Sequence, residues 1–261
     1  MSIFVHIIYN AFFIWTITVS QYLTERAGLL LIFYIFSYYW VTQVIKNVVH
    51  VTVSGTFATW YFLQGTMPSN PTVKSFQRAT TTSFGSISFG SLLVATLETL
   101  RTLIRIARGQ RDNIVAFCAD CILGCIDNLL QYFNLYAFTQ VAIYGKTYIQ
   151  AAKDTWSLLH SHGVEAIIND NLISNVLSFG ALIGGVVCAI VGAAVGIAIA
   201  GDMWTTCTAI GFVIGYMMLS VVMEVVQSGV ATIFVCFAMD REALRRNDPY
   251  LFDKFMVTYY N

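Results

Sequence analysis

The sequence predicts an all-α integral membrane protein: a polytopic bundle of about five or six transmembrane helices plus an amphipathic interfacial helix. Three observations carry this prediction. Of the 261 residues, 57% are hydrophobic and 11% charged, whereas soluble domains carry about 25% charged residues. The mean hydropathy is +0.69. Five runs, 27–45, 47–73, 79–97, 171–201 and 203–223, contain no Asp, Glu, Lys or Arg. A spanning helix needs about 20 apolar residues, and several of these runs reach that length. β-Barrel strands would alternate apolar and polar residues; these runs are continuous.

The whole chain, 1–261, reads as one membrane domain. Segment 3–19 is the first span; it lacks the basic start and small-residue cleavage site of a signal peptide. Segment 27–63 follows, as one long tilted helix or two spans, with Lys46 and His50 in its middle. Residues 64–82 hold Gly65, Pro68, Pro71 and a Ser/Thr run, the composition of a loop. Spans are expected at 83–104, 174–200 and 203–238, the last two joined by a Gly201–Asp202 turn. Two basic clusters, Arg101, Arg105, Arg108 and Arg111, and Arg241, Arg245, Arg246 and Lys254, are placed on the cytoplasmic side by the positive-inside rule.

Segment 112–170 is amphipathic. Asn113, Asp120, Asp127, Gln131 and Asn134 fall on one side at near-heptad spacing, and Ile114, Phe117, Cys121, Ile122, Cys125 and Leu129 on another. Such a helix lies in the membrane interface or lines a wet cavity. Residues 135–145 are apolar but too short to span alone.

A net charge of zero gives no argument for nucleic acid. Cys118, Cys121 and Cys125 share a helical face, but a single CxxC with no second pair makes a poor zinc site; no metal or cofactor is expected. No nucleophile elbow, HExxH or phosphate loop occurs, so an enzyme is not expected. Gly180 and Gly184, Gly192 and Gly196, and Gly211 and Gly215 form small-xxx-small pairs suited to close helix packing, including between copies as a homo-oligomer.

Ionisable residues inside spans are costly and mark candidate functional positions. His50, Glu98 and Glu224 qualify. Glu98 has Arg101 and Arg105 one and two turns on, which predicts a helix-end ion pair. Glu224 lies deep in the last apolar run with no basic residue within a turn.

Four blocks carry a family resemblance. FNLYAFTQVAIYGKTYIQAAKDTWSLL (133–159), with Ala142 to Lys146 at its core, TTSFGSISFGSLLVATLETLR (81–101), SGVATIFVCFAMDREALRRNDPYLFDKF (228–255) and VTVSGTFATWYF (51–62) together resemble the choline transporter-like family. The Ser-Gly before Ala231 is similar to its fungal and plant pH-nine-sensitive branch. The resemblance implies a multi-pass transporter, at the plasma membrane or an endomembrane, for choline or a related cationic solute. It also implies that the chain matches the C-terminal half of a longer protein. A non-transporting scaffold or assembly subunit, or an inactive half-transporter, is the alternative. A quaternary ammonium donates no hydrogen bond, so aromatic faces or a carboxylate must hold it. Trp40, Trp60 and Tyr61, which sit near polar breaks, and Glu224 are the substrate-binding candidates.

Overall fold

The computed structural model describes residues 9–11, 13–16, 18, 27–63, 66–108, 114–162, 164–200 and 203–260. Among them the chain is helical with no strand. The helices are α1 (Ala27–Leu63), α2 (Pro71–Thr80), α3 (Phe84–Arg108), α4 (Ile114–Tyr144), α5 (Tyr148–His162), α6 (Val164–Val195, continuing as a π turn, Gly196–Ala200), α7 (Trp204–Met239), α8 (Arg241–Asn247) and α9 (Pro249–Tyr260). By length and composition, three stretches of described helix are long and apolar enough to cross a membrane: Phe84–Ile106, Ile173–Ala198 and Trp204–Met239. The expected span 3–19 and the Gly201–Asp202 turn lie largely or wholly outside the described residues. Of the former, Tyr9 and Phe13 stack on Tyr38 of α1.

α1 is one uninterrupted helix of 37 residues, about 55 Å at 1.5 Å per residue. No Gly-Pro signal divides it, and three of its threonines bond within the helix. Thr52, Thr56 and Thr59 each donate to the carbonyl four residues back, at 2.7, 2.9 and 2.7 Å. Thr99 of α3 and Thr232 of α7 do the same at 2.7 Å each.

The loop expected at 64–82 contains a helix. Pro71 opens α2, because its fixed φ suits the first helical position and its missing N–H is one the helix start cannot use. Part of the Ser/Thr content that suggested a loop is buried: Ser75 packs against Gly55 of α1, while Thr80, Thr81 and Thr82 stay exposed. The apolar piece 135–145 does not stand alone either. It continues the amphipathic segment as the second half of α4. α4 ends at Gly145, whose φ of +65° breaks the helix, and α5 is tied back by a Lys146–Asp154 pair at 2.6 Å. Asp240 caps α8, accepting from the Ala243 N–H at 3.1 Å.

α1, α3, α4 and α7 surround the interior, with α1 touching each of the other three. One buried cluster joins Val51, Ile87, Ala137, Phe138 and Tyr148. A second, at the far end of α1, joins Ala58, Tyr61, Cys236, Phe237 and Leu244. α6 and α7 form a tight antiparallel hairpin in which every glycine of the three small-residue pairs meets the opposite helix of the same chain. The faces expected to serve a homo-oligomer are therefore occupied internally: the close backbone approach that small residues permit is already made within the hairpin.

Candidate functional site

Three helices present polar residues one turn apart, and those faces converge. α1 contributes Gln43, Lys46, Asn47 and His50; α4 contributes Gln131, Asn134 and Leu135; α7 contributes Glu224, Gln227 and Ser228. The spacing i, i+3, i+4 puts each set on one stripe. With Val94 of α3, Tyr132 of α4 and Ser174 of α6, they enclose a cavity of about 240 Å³ at mid-length of α1. A second cavity of about 290 Å³ opens between α6 and α7 and shares Ser174, Glu224 and Gln227 with the first. Ser178 and Ser220 continue its polar lining.

Glu224 stands at this junction. The Lys46 ammonium of α1 meets its carboxylate at 2.8 Å. The sequence offered no partner within a turn of Glu224; the partner comes across the bundle. Gln227 donates to the Ser174 hydroxyl at 2.8 Å, holding α7 to α6 beside it.

His50 is buried and ties three helices. Its Nε2 lies 2.9 Å from the Leu135 carbonyl and 3.2 Å from the Thr139 hydroxyl, and its Nδ1 lies 2.8 Å from the Ser228 hydroxyl. A carbonyl only accepts, so Nε2 donates to Leu135, while the Ser228 hydroxyl beside Nδ1 donates to the Glu224 carbonyl of its own helix at 2.9 Å. His50→Leu is expected to remove both links and lower stability by about 1–3 kcal/mol. Chemical unfolding in detergent measures it; a change under about 0.5 kcal/mol, the scatter of neutral surface changes, would show that the ring bears no load.

Glu98 does not form the helix-end pair with Arg101 that the sequence suggested. Its Oε1 accepts from Gln43 at 3.0 Å and Gln131 at 3.4 Å. Arg101 instead reaches across to α4, 2.8 Å from Asp127 and 3.5 Å from Asp120, and Arg105 meets Asp120 at 3.1 Å. An interhelical carboxylate with 3% exposure, Asp127, outcompetes an i,i+3 contact worth a few tenths of a kcal/mol. Of the two placements left open for the α4 stripe, the structure shows it turned into the bundle, with Asp127 and Asn134 buried. Phe117, Ile122, Ile126 and Leu129 are exposed on the opposite side, as are Cys118, Cys121 and Cys125.

The aromatic candidates lie elsewhere. Trp40 donates to the Ser88 carbonyl at 3.0 Å. Tyr61 is buried and donates to the Asp240 carbonyl at 2.9 Å, with Trp60 packed beside it in the second cluster. None of the three lines the cavity, whose aromatic residue among those described is Tyr132. Sequence reasoning passed over Gln43, Asn47, Gln227 and Ser228, although polar residues at helical spacing around Lys46, His50 and Glu224 were the available signal.

Comparison with known proteins agrees with the resemblance. Residues 1–242 match the family model described as plasma-membrane choline transporter. A CTL-like protein of Dictyostelium discoideum is 40% identical over 236 residues, covering 88% of this chain and 42% of that protein. The protein PNS1 of Cryptococcus neoformans is 39% identical over 249 residues, 88% of this chain and 45% of its own. PNS1 of Gibberella zeae is 36% identical over 243 residues, with 88% and 45% covered. The chain thus spans less than half the length of these relatives. The family is one of transporter-like membrane proteins and not an enzyme family. With a matching model over most of its residues, this membrane protein belongs to the plasma-membrane choline transporter family.

Proposed function

We propose that the two joined cavities are part of a path that carries choline or a related cationic solute across the membrane, the plasma membrane by family description. The observation that carries this reading is the Glu224 carboxylate, which belongs to both cavities. A carboxylate inside a lipid-facing bundle is expensive unless paired or wet, and here it faces open polar space and a cation. A solute with a fixed positive charge finds there the one feature its chemistry demands. The neighbouring Ser174 and Gln227 extend that polar surface from one cavity to the next.

The test is uptake of radiolabelled choline into proteoliposomes that hold this chain alone, beside Glu224→Gln. Wild-type uptake is expected, falling roughly tenfold to a hundredfold in the variant, the range of a lost charge-assisted contact. Equal uptake by both proteins would remove Glu224 and its cavities from the path. The second reading is a non-transporting scaffold or assembly subunit. Saturable choline binding without uptake would select it.

A further inference from the structure

The proposed cation site already contains a cation. Lys46 Nζ lies 2.8 Å from Glu224 Oε1, both side chains are nearly half exposed, at 47% and 42%, and both line the first cavity. A lysine is a compact point charge on a flexible four-carbon stem, so this ammonium can leave its partner without moving the helix. Resting on the reading of the cavity as a cation path, we propose that Lys46 is a tethered competitor: it occupies Glu224 in the empty site and must leave when a cationic solute binds.

A displaced ammonium needs somewhere to go. Glu98 of α3 provides it. Gln43 sits one turn before Lys46 on the same stripe of α1 and holds the Glu98 carboxylate at 3.0 Å. The Arg101 and Arg105 charges nearby are committed to Asp127 and Asp120, so neither neutralises Glu98 by direct contact. Lys46 thus meets one carboxylate, on α7, and its neighbour one turn away on α1 holds a second, on α3. A solute cation at Glu224 and Lys46 at Glu98 leaves every charge opposed, which two cations at one carboxylate would not.

The consequence runs against the usual expectation for a residue in a binding site: removing Lys46 tightens binding. Radiolabelled choline binding to the purified chain in lipid nanodiscs tests it. Lys46→Gln is expected to lower the half-saturating choline concentration roughly twofold to fivefold, the range a half-exposed ion pair supplies. Lys46→Arg keeps a tethered cation and is expected not to tighten binding. Glu98→Gln removes the alternative partner. It is expected to weaken binding in the wild-type background and to leave the affinity of Lys46→Gln unchanged, a coupling that a merely structural ion pair would not produce. Weaker or unchanged binding in Lys46→Gln, with Glu224→Gln abolishing binding, would overturn the competitor role and leave the cavity reading intact. Tightening by Arg equal to that by Gln would overturn it as well. Binding indifferent to Glu224→Gln would instead remove the cavity reading itself.

Discussion

Replacing Asp127 with alanine is expected to destabilise the bundle by about 3–5 kcal/mol, the cost of leaving a buried charge without its partner. Asp127 is 3% exposed and meets the Arg101 guanidinium at 2.8 Å. It also accepts from Gln131 at 3.1 Å. Without it, Arg101 keeps a longer contact to Asp120 at 3.5 Å, too distant to replace a direct ionic hydrogen bond. Chemical unfolding of the purified protein in detergent reads the loss. Pairing the change with Arg101→Met separates the ion pair from general damage. If the unpaired guanidinium is the cause, Asp127→Leu with Arg101→Met recovers most of the loss, since buried pairs are often replaceable by apolar residues of similar volume. A loss below about 1 kcal/mol in Asp127→Ala, the level of an exposed pair, would show that water reaches the guanidinium.

The second large effect is expected at the α6–α7 hairpin. A Cβ on Gly211 would lie 2.7 Å from the Cys188 carbonyl oxygen, and one on Gly192 would lie 2.5 Å from that of Cys207. Both obstacles are backbone, so no rotamer change relieves them. Gly211→Leu forces the two helices apart along their most intimate stretch and is expected to lower stability by about 3 kcal/mol, the upper range for overpacking. Gly85, with nothing within 4 Å of its built Cβ, is the matched control: Gly85→Leu in the same detergent is expected to shift stability by well under 1 kcal/mol, as surface changes do. Equal losses at both positions would mean that leucine itself, and not the helix contact, causes the damage.

The helical membrane class was legible from composition because uncharged runs of this length and apolarity need lipid as their solvent. The glycine pairs were legible as packing faces, although not which helix they would face. The site was half legible. His50 and Glu224 stood out as ionisable residues in apolar surroundings, and the structure brings both to one cavity. Gln43, Asn47 and Gln227 did not stand out, since a lone amide in a helix carries little cost and no charge. Partners were illegible for a geometric reason. Lys46 and Glu224 are 178 residues apart in the chain, and a helix reports its own periodicity but not the helix it will meet. Local pairing arithmetic therefore assigned Glu98 to Arg101, while the actual choice was made between helices. The aromatic candidates Trp40, Trp60 and Tyr61 rested on ring chemistry and a place near polar breaks; Trp40 and Tyr61 donate to backbone carbonyls, and Trp60 packs on the second buried cluster.

The hydroxyls that donate to their own helix bear on how the chain enters a bilayer. Thr52, Thr56, Thr59, Thr99 and Thr232 all bond four residues back, and Thr208 and Ser220 of α7 do likewise at 2.7 Å each. Lipid offers such groups no partner. Each segment thus leaves the insertion machinery with these groups satisfied, before any other helix has arrived. Partitioning into lipid and lateral assembly become separable for these hydroxyls, whereas charged residues such as Lys46, Glu98, Arg101, Asp127 and Glu224 find their partners on other helices. A segment stranded without its opposite charge is the one that quality control would meet first.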